Sequence, residues 1–383
     1  MASESSGVLQ AGGGPRLLGR FVCAAVAVAA LLDAGSRSVT WANDAPPPAE
    51  GTDDSHRYQA EILQRELENP WGVAIRPSGR GASALEAFVA ESGAGRVIAV
   101  DGDATGEPRT VIVDFPVGAL AENEQLPVGP LGLDFLTRDR LAVGTGGLGA
   151  GGDILRVYDL ADGTEPRAYD AAEQTLGPIV ASGRSATGEG ALASLSHSEQ
   201  AAFVVPRVGD RRGWILKAIL DGGRLAGLEP FLPVGETTGG DVPSALVINP
   251  KPHFHYLVAA HGARTAASRV TMFSPASGAV ALRLNTGLRH IVGLAYSPSG
   301  DLYAVDYGGD DPASGGVYRL EAAKVERRES CRPVKIADAP RPTALAFSPD
   351  GLLYVTALGE HSGDDPATGV LLRIAPLTET PKL

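Results

Sequence analysis

The sequence predicts an all-β protein: a six-bladed β-propeller of four-stranded blades, preceded by a signal peptide. Three observations predict it. First, one loop is written twice. "YGGDDPASGGVYRL" begins at Tyr307 and "HSGDDPATGVLLRI" at His361, so that Asp310, Asp311, Pro312, Ala313 and Arg319 each recur 54 residues later as Asp364, Asp365, Pro366, Ala367 and Arg373. Second, the stretch around each loop repeats as well. "VGLAYSPSGDLYAVDYG" from Val292 and "TALAFSPDGLLYVTALG" from Thr343 both read as apolar strand, tight turn, apolar strand. Third, no stretch after the first forty residues keeps apolar residues at helical spacing for three turns.

Taken in order, the chain opens with Arg16 and Arg20 ahead of the apolar run Phe21 to Leu32, twelve residues long. That is too short to span a bilayer as a helix and suits a secretory signal, with a small-x-small site at Thr40 to Ala42. Cleavage near Ala34, or retention as an anchor, are the alternatives. Residues 1–42 are therefore expected to be a signal peptide, and the mature chain to be secreted or periplasmic. Residues 43–57 are polar and Pro-rich and read as a linker. Residues 58–383 form the propeller.

Six units follow, roughly 50 to 65 residues apart, beginning at Trp71, Leu131, Leu192, Ser244, Val292 and Thr343; the copy at Leu192 is the weakest. Each is two strands around a turn, then a Gly-rich loop and a third strand. Gly300 and Gly351 suit the positive φ of "SPSG" and "SPDG" turns. A short strand precedes most units ("TVIVDFP", "EPFLP", "LRLNTGL", "VKIADAP"). The last unit has no fourth strand of its own, so "AEILQREL", Ala60 to Leu67, is expected to supply it and close the ring, hiding the sheet edges.

Composition narrows the partners. The chain has 383 residues and a formal charge of −12, with 49 Gly and 28 Pro. An acidic chain repels nucleic acid and anionic lipid, so no nucleic-acid partner is expected, and membrane contact only through an uncleaved N-terminus. Of two cysteines, Cys23 lies in the leader, which leaves Cys331 alone and excludes an intramolecular disulfide in the mature chain. A monomer is expected.

"NPWGVAIRPSG", "VAESGAGRVIAVD" and "GLAYSPSGDLYAVDYG" resemble NHL-type repeats and the wider group of six-bladed propellers. That group includes gluconolactonase-like (SMP-30), strictosidine-synthase-like and soluble quinoprotein sugar dehydrogenase proteins. The likeness covers about residues 58 to 376 and implies fold more strongly than activity, because this fold hosts unrelated functions. It also implies that the loops entering the innermost strands share one face with the loops between second and third strands. "ENPWG", "LPVGPLG", "GGDVPS", "GLRHIVG" and "APRPTA" would then ring the channel mouth.

The candidate ligand ring is Asn69, Trp71, Asp241, Arg289, His290 and Arg341. The two Arg side chains suit a forked grip on a carboxylate, His290 a general base and Trp71 stacking on a flat ligand. Alternatively, Trp71 plugs the channel and the polar groups cap carbonyls or pair with acids. Trp71→Ala and His290→Ala are expected to change binding more than stability. Asp310, Asp311, Asp364 and Asp365 offer oxygens suited to Ca²⁺, although no EF-hand spacing is present and Asp before Pro also simply starts turns. His253, His255 and His261 are too far apart along a strand to share a metal. His197 and His361 read as solvated loop residues.

The resulting expectation is an exported binding module with a ligand site at the mouth, its partner a small molecule, a carbohydrate or an envelope protein. The resemblance implies two enzymatic alternatives. A quinone- and Ca²⁺-dependent sugar dehydrogenase would use His290, Arg289 and Arg341, although its second-blade His has no counterpart in "GPLGLDFLTRD". A metal-dependent lactonase would use Asn69 and Asp241, although no entry loop supplies its Glu apart from Glu68.

Overall fold

The computed structural model describes residues 47–77, 85–102, 107–120, 123–161, 165–250, 255–262, 267–309, 311, 314–359 and 369–377. Six four-stranded antiparallel arrangements follow one another along the chain. From the innermost strand outward, blade 1 is Pro70–Ile75, Glu86–Glu91, Arg96–Asp101 and Arg109–Val113. Blade 2 is Pro130–Phe135, Arg140–Thr145, Leu155–Asp159 and Gln174–Leu176. Blade 3 is Gly190–His197, Ala201–Val208, Trp214–Asp221 and Arg224–Pro233. Blade 4 is Pro243–Ile248, Leu257–His261, Arg269–Phe273 and Val280–Asn285. Blade 5 is Ile291–Tyr296, Leu302–Asp306, Gly316–Val325 and Arg328–Asp338. Blade 6 takes Pro342–Phe347, Leu353–Ala357 and Gly369–Pro376 from the C-terminus, and its outermost strand is Tyr58–Leu67. The two ends of the propeller therefore share one sheet, as the sequence predicts.

The second strands are nearly continuous runs of buried residues, such as Ala87 to Ala90 and Phe203 to Val205. Both faces of each blade are covered by neighbours, so alternation gives way to unbroken hydrophobicity. The packed residues fall into six interblade clusters, one for each neighbouring pair. A seventh cluster, described below, sits on the axis. Close approach explains Gly72: a Cβ there would lie 2.2 Å from the Leu131 carbonyl oxygen on blade 2.

In all six blades the pairing of the two inner strands slips once near the start of the innermost strand. Such irregularities bend a strand and re-aim its side chains at a rim. Here they mark the end where the innermost strands begin, which is the channel mouth.

Among the described residues, three strand additions lie outside the repeat. Arg167–Ala168 pairs in parallel with the edge of blade 1, and Thr52–Asp53 with the edge of blade 5. Residues 47–57 fall within the stretch expected to be a linker. They run along blade 5, with the Ala49 N–H on the Cys331 carbonyl and Ser330 Oγ on the Pro47 carbonyl. The cause is main-chain pairing with an exposed strand edge, which composition does not report. The third addition is a hairpin, Gly118–Leu120 with Asn123–Val128, between blades 1 and 2.

Candidate functional site

The innermost strands enter from Asn69, Gly129, Glu189, Val242, His290 and Arg341, one residue per blade at equivalent positions. The ends of the second strands approach the same rim, with Glu91, Thr145, His261 and Asp306 all buried there.

Trp71 does not face solvent. It is 7% exposed and packs with Leu120 and Val128 of the hairpin and with Leu131, Ala191 and Ala193 of blades 2 and 3. The Arg207 guanidinium carbon lies 5.2 Å from its ring centroid. The indole fills the axis beneath the hairpin, the second of the two readings given above. Asn69 lies under the same cover. Its Nδ2 donates to the Pro127 carbonyl at 3.2 Å, and its backbone takes φ 47°, a left-handed conformation that Asn tolerates. The hairpin has no counterpart in the repeat, so pattern alone could not place it over these two residues.

Half-buried Asp241 and buried His261 form a pair that the sequence analysis missed. Asp241 Oδ2 is 3.2 Å from His261 Nδ1 and 3.2 Å from an Arg269 Nη1, and His261 Nε2 is 2.7 Å from Thr271 Oγ1. The bond from His261 leads in holding the Asp241 carboxyl below its usual range. Burial leads in lowering the His261 pKa, so the imidazole stays neutral. His261 and Thr271 are fully buried, so this Asp–His–Thr line braces blade 4 and presents no nucleophile.

Glu189 was also missed, because blade 3 is the most decayed repeat and lacks the entering Pro of blades 1, 2, 4 and 6. It is 1% exposed, accepts from Ser185 Oγ at 2.6 Å and from the Asp210 N–H, and burial pushes its pKa up to about 7.

Blade 5 carries the accessible chemistry. The buried Asp306 carboxylate accepts three backbone N–H groups, from Arg289 at 2.8 Å, His290 at 3.0 Å and Gly308 at 3.1 Å. It fixes the turn that holds Arg289 and His290. Arg289 is exposed and His290 half-buried. The imidazole meets the Tyr307 ring edge-to-face at 5.7 Å, and the Tyr307 N–H donates to the His290 carbonyl. On blade 6, half-buried Arg341 takes φ 49°, an uncommon conformation for a side chain of its size. Its carbonyl accepts the Leu358 N–H. The predicted ring thus divides: Asn69 and Trp71 are buried, Asp241, His290 and Arg341 are half-buried, and Arg289 is exposed. The ends of the second strands, where Asp306 and His261 fall at equivalent places, are the sequence signal that would have found the missing partners.

Three oxygen-bearing side chains near the mouth make internal contacts: Asn69 donates through Nδ2 to the hairpin, Asp241 Oδ2 meets His261 and Arg269, and Glu189 Oε1 accepts from Ser185 and Asp210. Among the described residues no group of three or more His, Cys, Asp or Glu is arranged to hold a metal ion. Of the candidate calcium loops, Asp310, Asp364 and Asp365 lie outside the described residues, as do His253 and His361. Asp311 is described, its carbonyl accepting the Ser314 N–H at 3.0 Å. His197 is not a solvated loop residue. It ends the innermost strand of blade 3, 2.8 Å from Asp134 Oδ2, and that carboxylate raises its pKa.

No family model and no curated protein matches the chain. Among solved structures, a gluconolactonase from Xanthomonas campestris is similar over 88% of this chain and 96% of its own, at 14% identity and a TM-score of 0.52. The WD40 β-propeller domain of Doa1 covers 83% of this chain and 96% of its own, at 11% identity and a TM-score of 0.44. At such identity the likeness is one of fold, and the fold is a six-bladed propeller.

Proposed function

We propose that this protein is a binding propeller whose ligand is a small organic anion held at the channel mouth by Arg289, His290 and Arg341. The observation that carries the reading is the Asp306 clamp. A buried carboxylate that spends its oxygens on two N–H groups of the Arg289–His290 turn and a third from Gly308 in the neighbouring loop organises that turn before any ligand arrives. Preorganised donors lose less entropy on binding. Two guanidinium groups on adjacent blades suit a carboxylate by forked hydrogen bonds, and the His290–Tyr307 pair offers an aromatic edge beside them. The structural likeness to a gluconolactonase supports a carbohydrate-derived acid as the ligand class. A lactonase-like hydrolysis is the second reading, which the same likeness supports. The N-terminal apolar run supports export, and the propeller would act as a monomer outside the cytoplasm.

The test is calorimetric titration of the mature chain with gluconate and with glucono-1,5-lactone, followed by lactone hydrolysis with and without chelator. Saturable gluconate binding that weakens in Arg289→Ala and Arg341→Ala supports the reading. Chelator-sensitive turnover of the lactone replaces it with an enzyme.

A further inference from the structure

A cleft of about 330 Å³ opens between blades 3 and 4 on the face opposite the mouth, where the turn Ser198 to Gln200 joins the two inner strands of blade 3. Its size falls in the range of small-molecule sites. The floor is Ala201, Phe203 and Ile248, all less than a tenth exposed. One wall is Ile219, whose 64% exposure is high for so large an apolar side chain.

Lys217 supplies the charge. Its ammonium lies 4.7 Å from the Phe231 ring centroid and 5.5 Å from that of Phe203, and it donates one hydrogen bond to the Pro275 carbonyl at 3.0 Å. Two of its three protons remain to donate. No carboxylate among the described residues lies within ion-pair distance of it. The two rings and the carbonyl hold the ammonium in place, so an incoming acceptor need not immobilise a free lysine chain. At the rim stand Glu199, Gln200 and His255.

We infer that this cleft binds a small monocarboxylate with an apolar or aromatic body, its carboxylate on Lys217 Nζ and its body against Ile219, Ile248 and Phe203. The site is separate from the mouth and does not depend on what binds there.

The probe is 4-phenylbutyrate, with 4-phenylbutanol as its uncharged counterpart, titrated against the mature chain by ligand-observed NMR and calorimetry. One 4-phenylbutyrate is expected to bind per chain, and the alcohol at least tenfold more weakly. Lys217→Met should weaken the acid at least tenfold. Ile219→Asp should do the same with an unchanged melting temperature, since that side chain is already in solvent, so it decides the matter if Lys217→Met folds poorly. Arg289→Ala should leave the affinity unaltered. The inference is overturned if no saturable binding occurs at millimolar acid, if acid and alcohol bind alike, if Ile219→Asp binds as the parent does, or if the affinity is lost in Arg289→Ala instead.

Discussion

Arg373 of the last strand and Glu61 of the first strand of the propeller form an ion pair, Nη2 to Oε2 at 2.7 Å, across 312 residues of sequence. The pair is half-exposed and contributes no more than about 1 kcal/mol. What it marks is larger: the ladder from Tyr58↔Pro376 to Leu67↔Gly369 that closes the ring. Deleting residues 58–67 exposes that edge and uncovers part of the cluster holding Leu67 and Leu371. The truncated chain is expected to melt well below the untruncated one by scanning calorimetry. An unchanged melting temperature would refute the closure, whereas Arg373→Ala should shift it only slightly.

Trp71→Ala removes a buried indole from the axis. A loss of about 3–5 kcal/mol is expected from urea unfolding, by lost transfer energy and the cavity left behind. This reverses the expectation formed from sequence, in which Trp71 chiefly served binding. A Trp71→Ala protein of parental stability with impaired gluconate binding would restore that role.

Asp306→Asn keeps the shape of the clamp but turns an amide toward N–H donors. A cost of about 1–3 kcal/mol is expected for the unmet groups. Gluconate affinity should fall although Arg289, His290 and Arg341 are all retained. Equal affinity in parent and variant would show that the turn needs no such support.

Glu189 gives the stability a pH dependence of predictable sign. Its folded pKa is raised from 4.5 to about 7. Below pH 4.5 both states hold the proton and its contribution is complete. Between pH 4.5 and about 7 the unfolded state releases the proton first, and stability is lost as pH rises. Glu189→Gln removes that loss, so the stability of the variant relative to the parent should grow by about 3 kcal/mol between pH 4 and pH 8. A difference independent of pH in urea titrations would refute the assignment.

The blades were legible because their signal is periodic: Gly300 and Gly351, and the pairs Asp310/Asp364 and Arg319/Arg373, repeat at fixed distances. Closure was legible for the same reason, as a missing strand at one end and a spare one at the other. What the repeat does not contain, it does not predict. The hairpin over Asn69 and Trp71 is an insertion, and the pairing of Thr52–Asp53 with blade 5 is a main-chain contact that side chains do not announce. Asp241 and His261 were placed at the correct ends of their strands, but their meeting depends on how far blade 4 bends at the slip between Pro243 and Ala245. Glu189 was hidden by the decay of blade 3.

The shared last blade also sets an order in time. Tyr58–Leu67 leaves the ribosome before all five intervening blades, and its partner Gly369–Pro376 after them. Until then the first strand has no ladder to join, and blade 1 lacks the neighbour that covers Val73 and Val89. Blades can form locally as they emerge, but the circle completes only once Gly369–Pro376 has emerged as well. A polypeptide released early, at any of the first five blades, carries its defect at both ends at once: an orphaned strand and an uncovered flank, surfaces of the kind that chaperones and proteases engage.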